Sequence, residues 1–125
     1  MLDKGCILIL ESDDLMRQLL ERWLGEAGYE VQAEPGSVPA HTTPPRLVIV
    51  NVPRPRDAQE LVNSLKKEYS APILVVSARF RRGLGASAEV ARQLGVRRVL
   101  PKPFTREELQ EAVVSSLEAD SEPGA

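Results

Sequence analysis

The side chains best placed to do chemistry follow directly on short apolar runs. Glu11, Ser12 and Asp13 come after CILIL, Asn51 to Arg56 after LVIV, Ser77 and Ala78 after ILVV, and Pro101 to Pro103, with Lys102 between them, after VRRVL. Carboxylate, hydroxyl, amide and ammonium groups thus sit at comparable places along the chain. Arginines cluster there too: Arg54 and Arg56 follow one run, and Arg79, Arg81 and Arg82 another. Five guanidinium groups at one rim could bind phosphate, a nucleotide or RNA through bidentate contacts. Two features oppose that reading. The net charge is −2, which argues against nucleic acid as the main partner, and no P-loop or GxGxxG cradles a phosphate. The lone cysteine, Cys6, lies inside an apolar run and reads as a buried small hydrophobe. The single histidine, His41, has no companion ligand, so a zinc site is not expected.

The elements that position these groups follow from periodicity. Cys6–Leu10, Leu47–Val50 and Ile73–Val76 are continuously apolar and short, the pattern of strands covered on both faces of a parallel sheet. Tyr29–Ala33 and Val96–Leu100 are expected as two further strands. Between Asp13 and Ala27, the residues Leu15, Met16, Leu19, Leu20, Trp23 and Leu24 recur at helical spacing, a stripe that reads as core. Ala58, Leu61, Val62 and Leu65 mark a second helix, and Val90, Ala91 and Leu94 a third, ended at Gly95. Thr105 with Glu108 forms a capping-box pattern ahead of the stripe Leu109, Ala112, Val113, Ser116 and Leu117. Strands alternating with helices imply right-handed βαβ units, whose working site lies beyond the carboxyl ends of the strands. Pro39, Pro44 and Pro45 predict that any helix in the SVPAHTTPPR stretch is truncated or lost. Gly83 and Gly85 predict a mobile loop after Ser77.

The 125 residues suit one domain. No apolar run approaches the roughly 20 residues of a membrane span. With no signal-peptide pattern and one cysteine, a cytoplasmic location is expected.

Taken in order, ILILESDD, AGYEV, PRLVIVNVPRP, PILVVSA and GVRRVLPKPF resemble the receiver domain of two-component response regulators over roughly residues 4 to 118. The resemblance implies a flavodoxin-like (βα)5 three-layer α/β sandwich with a five-stranded parallel sheet of order 2-1-3-4-5. Residues 1–118 would form this domain and 119–125 a disordered tail. In the family, acidic residues after the first strand hold Mg²⁺, an Asp after the third accepts a phosphoryl group, a Ser or Thr follows the fourth, and a Lys the fifth. By that correspondence Glu11 and Ser12 stand at the acidic positions, Ser77 at the hydroxyl position, and Lys102 at the lysine position, followed by Pro103.

Asn51 stands where the acceptor Asp belongs. A carboxylate can attack phosphorus, whereas an amide delocalises its nitrogen lone pair, carries no charge and offers a weakly nucleophilic oxygen. Its presence also removes a hard anionic ligand, leaving Glu11, Asp13 and a carbonyl near Pro53, so Mg²⁺ binding is expected to be weak or absent. Val99 occupies the position of the aromatic switch and has no ring to swing. The retained groups also have structural readings. Ser77 can bond backbone, and Asp13 can serve as a helix-terminal residue. Lys102 can pair with Glu11, which at a partly exposed cleft would be worth about 1 kcal/mol or less.

Three functions follow from this reading. The first is a non-enzymatic receiver-like module that binds proteins independently of phosphorylation: a histidine kinase, another receiver, an output domain or a second copy. It would use the helix before Gly95, the strand after it and the last helix. The second is an anion-binding protein using the arginine rim. The third is a residual phosphotransfer enzyme using Asp13. No helix-turn-helix, kinase core or cyclase segment follows, so output is expected from a partner or from further sequence.

Overall fold

The computed structural model describes residues 5–34, 45–77 and 84–121. In chain order the elements are β1 (Cys6–Leu10), α1 (Asp14–Glu26), β2 (Glu30–Glu34), β3 (Leu47–Asn51), a 3-10 turn (Pro55–Asp57), α2 (Ala58–Glu68), β4 (Ile73–Ser77), α3 (Leu84–Leu94), β5 (Arg98–Pro101) and α4 (Arg106–Ser121). The strands form one parallel sheet in the order β2-β1-β3-β4-β5. This is the flavodoxin-like architecture that the family resemblance implies.

The uninterrupted apolar character of β1, β3 and β4 has a direct cause: both faces of each are buried. Alternate residues serve opposite layers. Leu8, Val48 and Val75 pack with Val62 and Leu65 of α2 and with Ala91 and Leu94 of α3. On the other face, Ile9, Ile49 and Leu74 pack with Leu20 and Leu24 of α1 and with Leu109 and Val113 of α4. Fully burying a side chain of this size contributes about 1.5–3 kcal/mol, so these two layers hold the strand ends in fixed relation.

Several boundaries differ from expectation. The Tyr29 amide donates to the Leu24 carbonyl and so closes the turn that follows α1, and β2 therefore starts at Glu30. Likewise the amides of Gly95 and Val96 both donate to the Ala91 carbonyl, closing α3 in a turn at Gly95 with φ +76°. That commitment delays β5 to Arg98. Helix α3 begins at Leu84, inside the stretch expected to be a mobile loop. Ala86, Ala88 and Ala91 are strong helix formers, and Gly85 lies in the first turn, where the amide needs no intrahelical acceptor. Helix α4 continues to Ser121, past the expected boundary at residue 118. The expected loss of a helix in the SVPAHTTPPR stretch falls on residues 35–44, which lie outside the described residues, as do Gly83 and His41.

Leu15 is a further correction. It was expected in the apolar stripe of α1, yet it is 79% exposed. At about 100° per residue it lies about 140° around the helix from buried Leu20, off the face that meets the sheet.

Candidate functional site: the carboxyl ends of the strands

The site is assembled by chain ends that hydrogen bond to one another. Asn51 closes β3 opposite Val76 of β4 and is half-buried. The Val52 amide donates to the Val76 carbonyl at 2.9 Å, and the Lys102 amide to the Ser77 carbonyl at 2.9 Å. Ser77 is fully buried, and its hydroxyl donates to the Val52 carbonyl at 2.6 Å. The peptide bond between Lys102 and Pro103 is cis.

Glu11, directly after β1, has its side chain only 1% exposed. The Lys102 Nζ donates to its Oε1 at 2.9 Å, and the Asp13 amide donates to its Oε2 at 3.0 Å. Strand β5 is three places from β1 in the sheet, so this pair bridges the interval across the ends of β3 and β4. Lys102 is itself only 15% exposed. The pair is therefore more enclosed than the partly exposed cleft expected from the sequence, and removing one member of a buried pair costs about 3–5 kcal/mol, because the other charge stays buried.

Asp13 is the N-cap of α1, its Oδ2 accepting from the Met16 amide at 2.7 Å. Ser12 is exposed beside it. Arg17 stands near the start of α1. Its guanidinium donates to the Glu11 carbonyl at 3.2 Å and to Asp14 Oδ1 at 2.6 Å. No sequence signal marks that contact, since it depends on how α1 packs back on the end of β1. Val99 is buried in the layer under α2 and α3. Trp23 packs against the opposite layer, edge-on to Phe104 at 6.4 Å between ring centroids.

Arg54 and Arg56 are exposed after β3, and the Arg54 guanidinium is bonded to Asp57 at 2.9 Å. Arg79, Arg81 and Arg82 lie outside the described residues, so the arginine rim is represented here by its first two members alone.

A divalent metal, which the fold family uses, does not fit the donors present. Both Glu11 oxygens have donors, one Asp13 oxygen caps a helix, Asp14 is paired with Arg17, and Asn51 is neutral. Mg²⁺ takes oxygen ligands in near-octahedral array, with one or two available carboxylates beside retained waters. Among the described residues no group of three or more His, Cys, Asp or Glu side chains converges as such a set would. Nor, among them, is any helix long and apolar enough to cross a membrane.

The architecture is the one seen in receiver domains of response regulators. No family model matches the chain. It is 34% identical over 113 residues to the transcriptional regulatory protein PdtaR of Mycobacterium tuberculosis, an alignment covering 86% of this chain and 54% of PdtaR, so the chain spans about half the length of that relative. The non-phosphorylated HemR receiver domain from Leptospira biflexa superposes with a TM-score of 0.72 at 20% identity, over 98% of this chain and 100% of that one. A response regulator from Thermotoga maritima gives 0.73 at 16% identity, over 94% and 99%. At 16–20% identity these structural likenesses show that the chain has the receiver fold.

Proposed function

We propose that this receiver-fold chain is a protein-interaction module in signal transduction that works without aspartyl phosphorylation. The observation that carries the reading is Asn51 at the end of β3, where receiver chemistry needs a carboxylate. An amide there supplies neither the nucleophile nor the negative charge that helps to hold a metal, and the transition state for phosphoryl transfer loses both supports. Residual transfer through Asp13 is disfavoured by its use as the α1 cap on a different strand end. Val99, buried and without a ring, supports a domain that lacks the rotamer change of a phosphorylation switch. Weak or absent Mg²⁺ binding belongs to the same reading.

The partner is a protein: a histidine kinase, another receiver, an output domain or a second copy of the chain. The docking face proposed is that of α3, β5 and α4. Val114 is 44% exposed there, beside a groove of about 450 Å³ lined by Arg98, Gln110, Glu111 and Ser115. An apolar centre with a polar rim is the usual anatomy of such a surface.

Incubation with acetyl phosphate and Mg²⁺, read on a phosphate-affinity gel beside a receiver with an intact Asp, is expected to give no base-labile acyl phosphate. Stoichiometric labelling would overturn the proposal. Capture of a partner from host extract is expected to be lost on Val114→Asp.

A further inference from the structure

We propose that the ammonium of Lys102 is the resident cation of this pocket and replaces a divalent metal as the counter-charge to Glu11. The inference deepens the reading above, in which Mg²⁺ binding is weak or absent, and its metal and folding measurements can fail while acyl phosphate formation stays absent, so the two failures are distinguishable.

The argument starts from burial. A carboxylate 1% exposed has lost nearly all its hydration and must be compensated by charge and hydrogen bonds where it sits. Glu11 receives both from the protein. Lys102 Nζ meets Oε1 at 2.9 Å and the Asp13 amide meets Oε2 at 3.0 Å. A second cation, the Arg17 guanidinium, holds the backbone carbonyl of the same residue at 3.2 Å, while Asp14 holds Arg17. The result is a chain of alternating charge, Lys102 to Glu11 and Arg17 to Asp14, running from the end of β5 to the first turn of α1.

An incoming Mg²⁺ would have to displace the Lys102 ammonium, which is only 15% exposed, and would find an amide at Asn51. A hydrated divalent ion sheds water reluctantly and gains only one buried carboxylate in return. The lysine therefore keeps the site. It also gives the surviving receiver lysine a use that needs no phosphoryl group: it ties β5 to β1 across the ends of β3 and β4.

The test is thermal unfolding and NMR of the full chain. In the wild type the unfolding midpoint is expected to be the same in EDTA and in millimolar Mg²⁺. Mn²⁺ is expected to broaden no set of amide signals confined to Glu11, Ser12, Asn51 and Lys102. Lys102→Met leaves Glu11 uncompensated and should lower the folding equilibrium constant by about a hundredfold or more. The double variant with Glu11→Gln should recover most of that loss. A Mg²⁺-dependent rise in the wild-type midpoint, Mn²⁺ broadening confined to those four amides, or additive losses in the double variant would each overturn the proposal. Should Lys102→Met not fold, the two wild-type metal measurements decide the matter.

Discussion

Removing the Ser77 hydroxyl separates a structural role from an idle remnant. In Ser77→Ala the only atom lost is Oγ, which donates to the Val52 carbonyl at 2.6 Å while both residues are 0% exposed. A net hydrogen bond is worth about 0.5–1.5 kcal/mol, and a buried acceptor left without this donor costs about 1–3 kcal/mol. The gap left by one oxygen adds little, so a loss of about 2 kcal/mol is expected. For a chain of this length that corresponds to a midpoint lower by roughly 6–12 °C. Urea unfolding followed by Trp23 fluorescence suits the measurement, because Trp23 lies edge-on to Phe104 in the loop after Lys102 and is the only tryptophan. The urea midpoint should fall with m unchanged. Ser12→Ala, at an exposed neighbour in the same pocket, should stay within about 0.5 kcal/mol of wild type. If Ser77→Ala also falls inside that band, the hydroxyl does not tie β4 to the chain after β3, and the reasoning about this pocket fails.

Two further predictions bear on the same end and core of the sheet. Asn51→Asp restores the missing carboxylate but leaves Lys102 on Glu11 and Ser12 where a second acid is usual, so acetyl phosphate should label it slowly and incompletely; rapid stoichiometric labelling would show that the remaining pocket is intact. Cys6 ionises above its ordinary value of 9.0, because burial disfavours the thiolate and, secondarily, because Glu30 is near. The unfolded thiol therefore loses its proton first as pH rises, the unfolded state binds fewer protons, and stability is full below about pH 9 and falls above it. Tyr29, raised from 10.0 by burial, acts in the same direction at higher pH. Urea midpoints across that range should decline, less steeply in Cys6→Ala, and a wild-type midpoint that stays flat would contradict this.

What was legible in the sequence depended on whether one local pattern decided the outcome. The central strands were legible because burial on both faces leaves an unbroken apolar signature in β1, β3 and β4. Their carboxyl ends were legible for the same reason, and with them the placement of Glu11, Asn51 and Ser77 at one edge. The start of β5 was not, since it turns on Val96 donating its amide to Ala91 rather than to a strand. The exposure of Leu15 was missed because its position in the apolar run suggested a face that helical rotation denies it. Arg17 was missed for a different reason. A residue on the polar side of a helix reads as solvated until the packing angle brings its guanidinium onto the Glu11 carbonyl.

The same contacts bear on how such a pocket would persist in a domain that, as proposed, transfers no phosphoryl group. Ser77 and Lys102 are groups that phosphoryl recognition would need free, yet each is bound to another part of this chain, to Val52 and to Glu11. Once so bound they act as core polar groups, costly to remove one at a time because the partner left behind is buried. On the proposed reading, selection for stability alone would retain Ser77 and Lys102 in a domain that transfers no phosphoryl group. Their presence therefore says nothing by itself about activity. The informative position is the one whose chemistry cannot be replaced by a hydrogen bond, and at the end of β3 that position holds an amide.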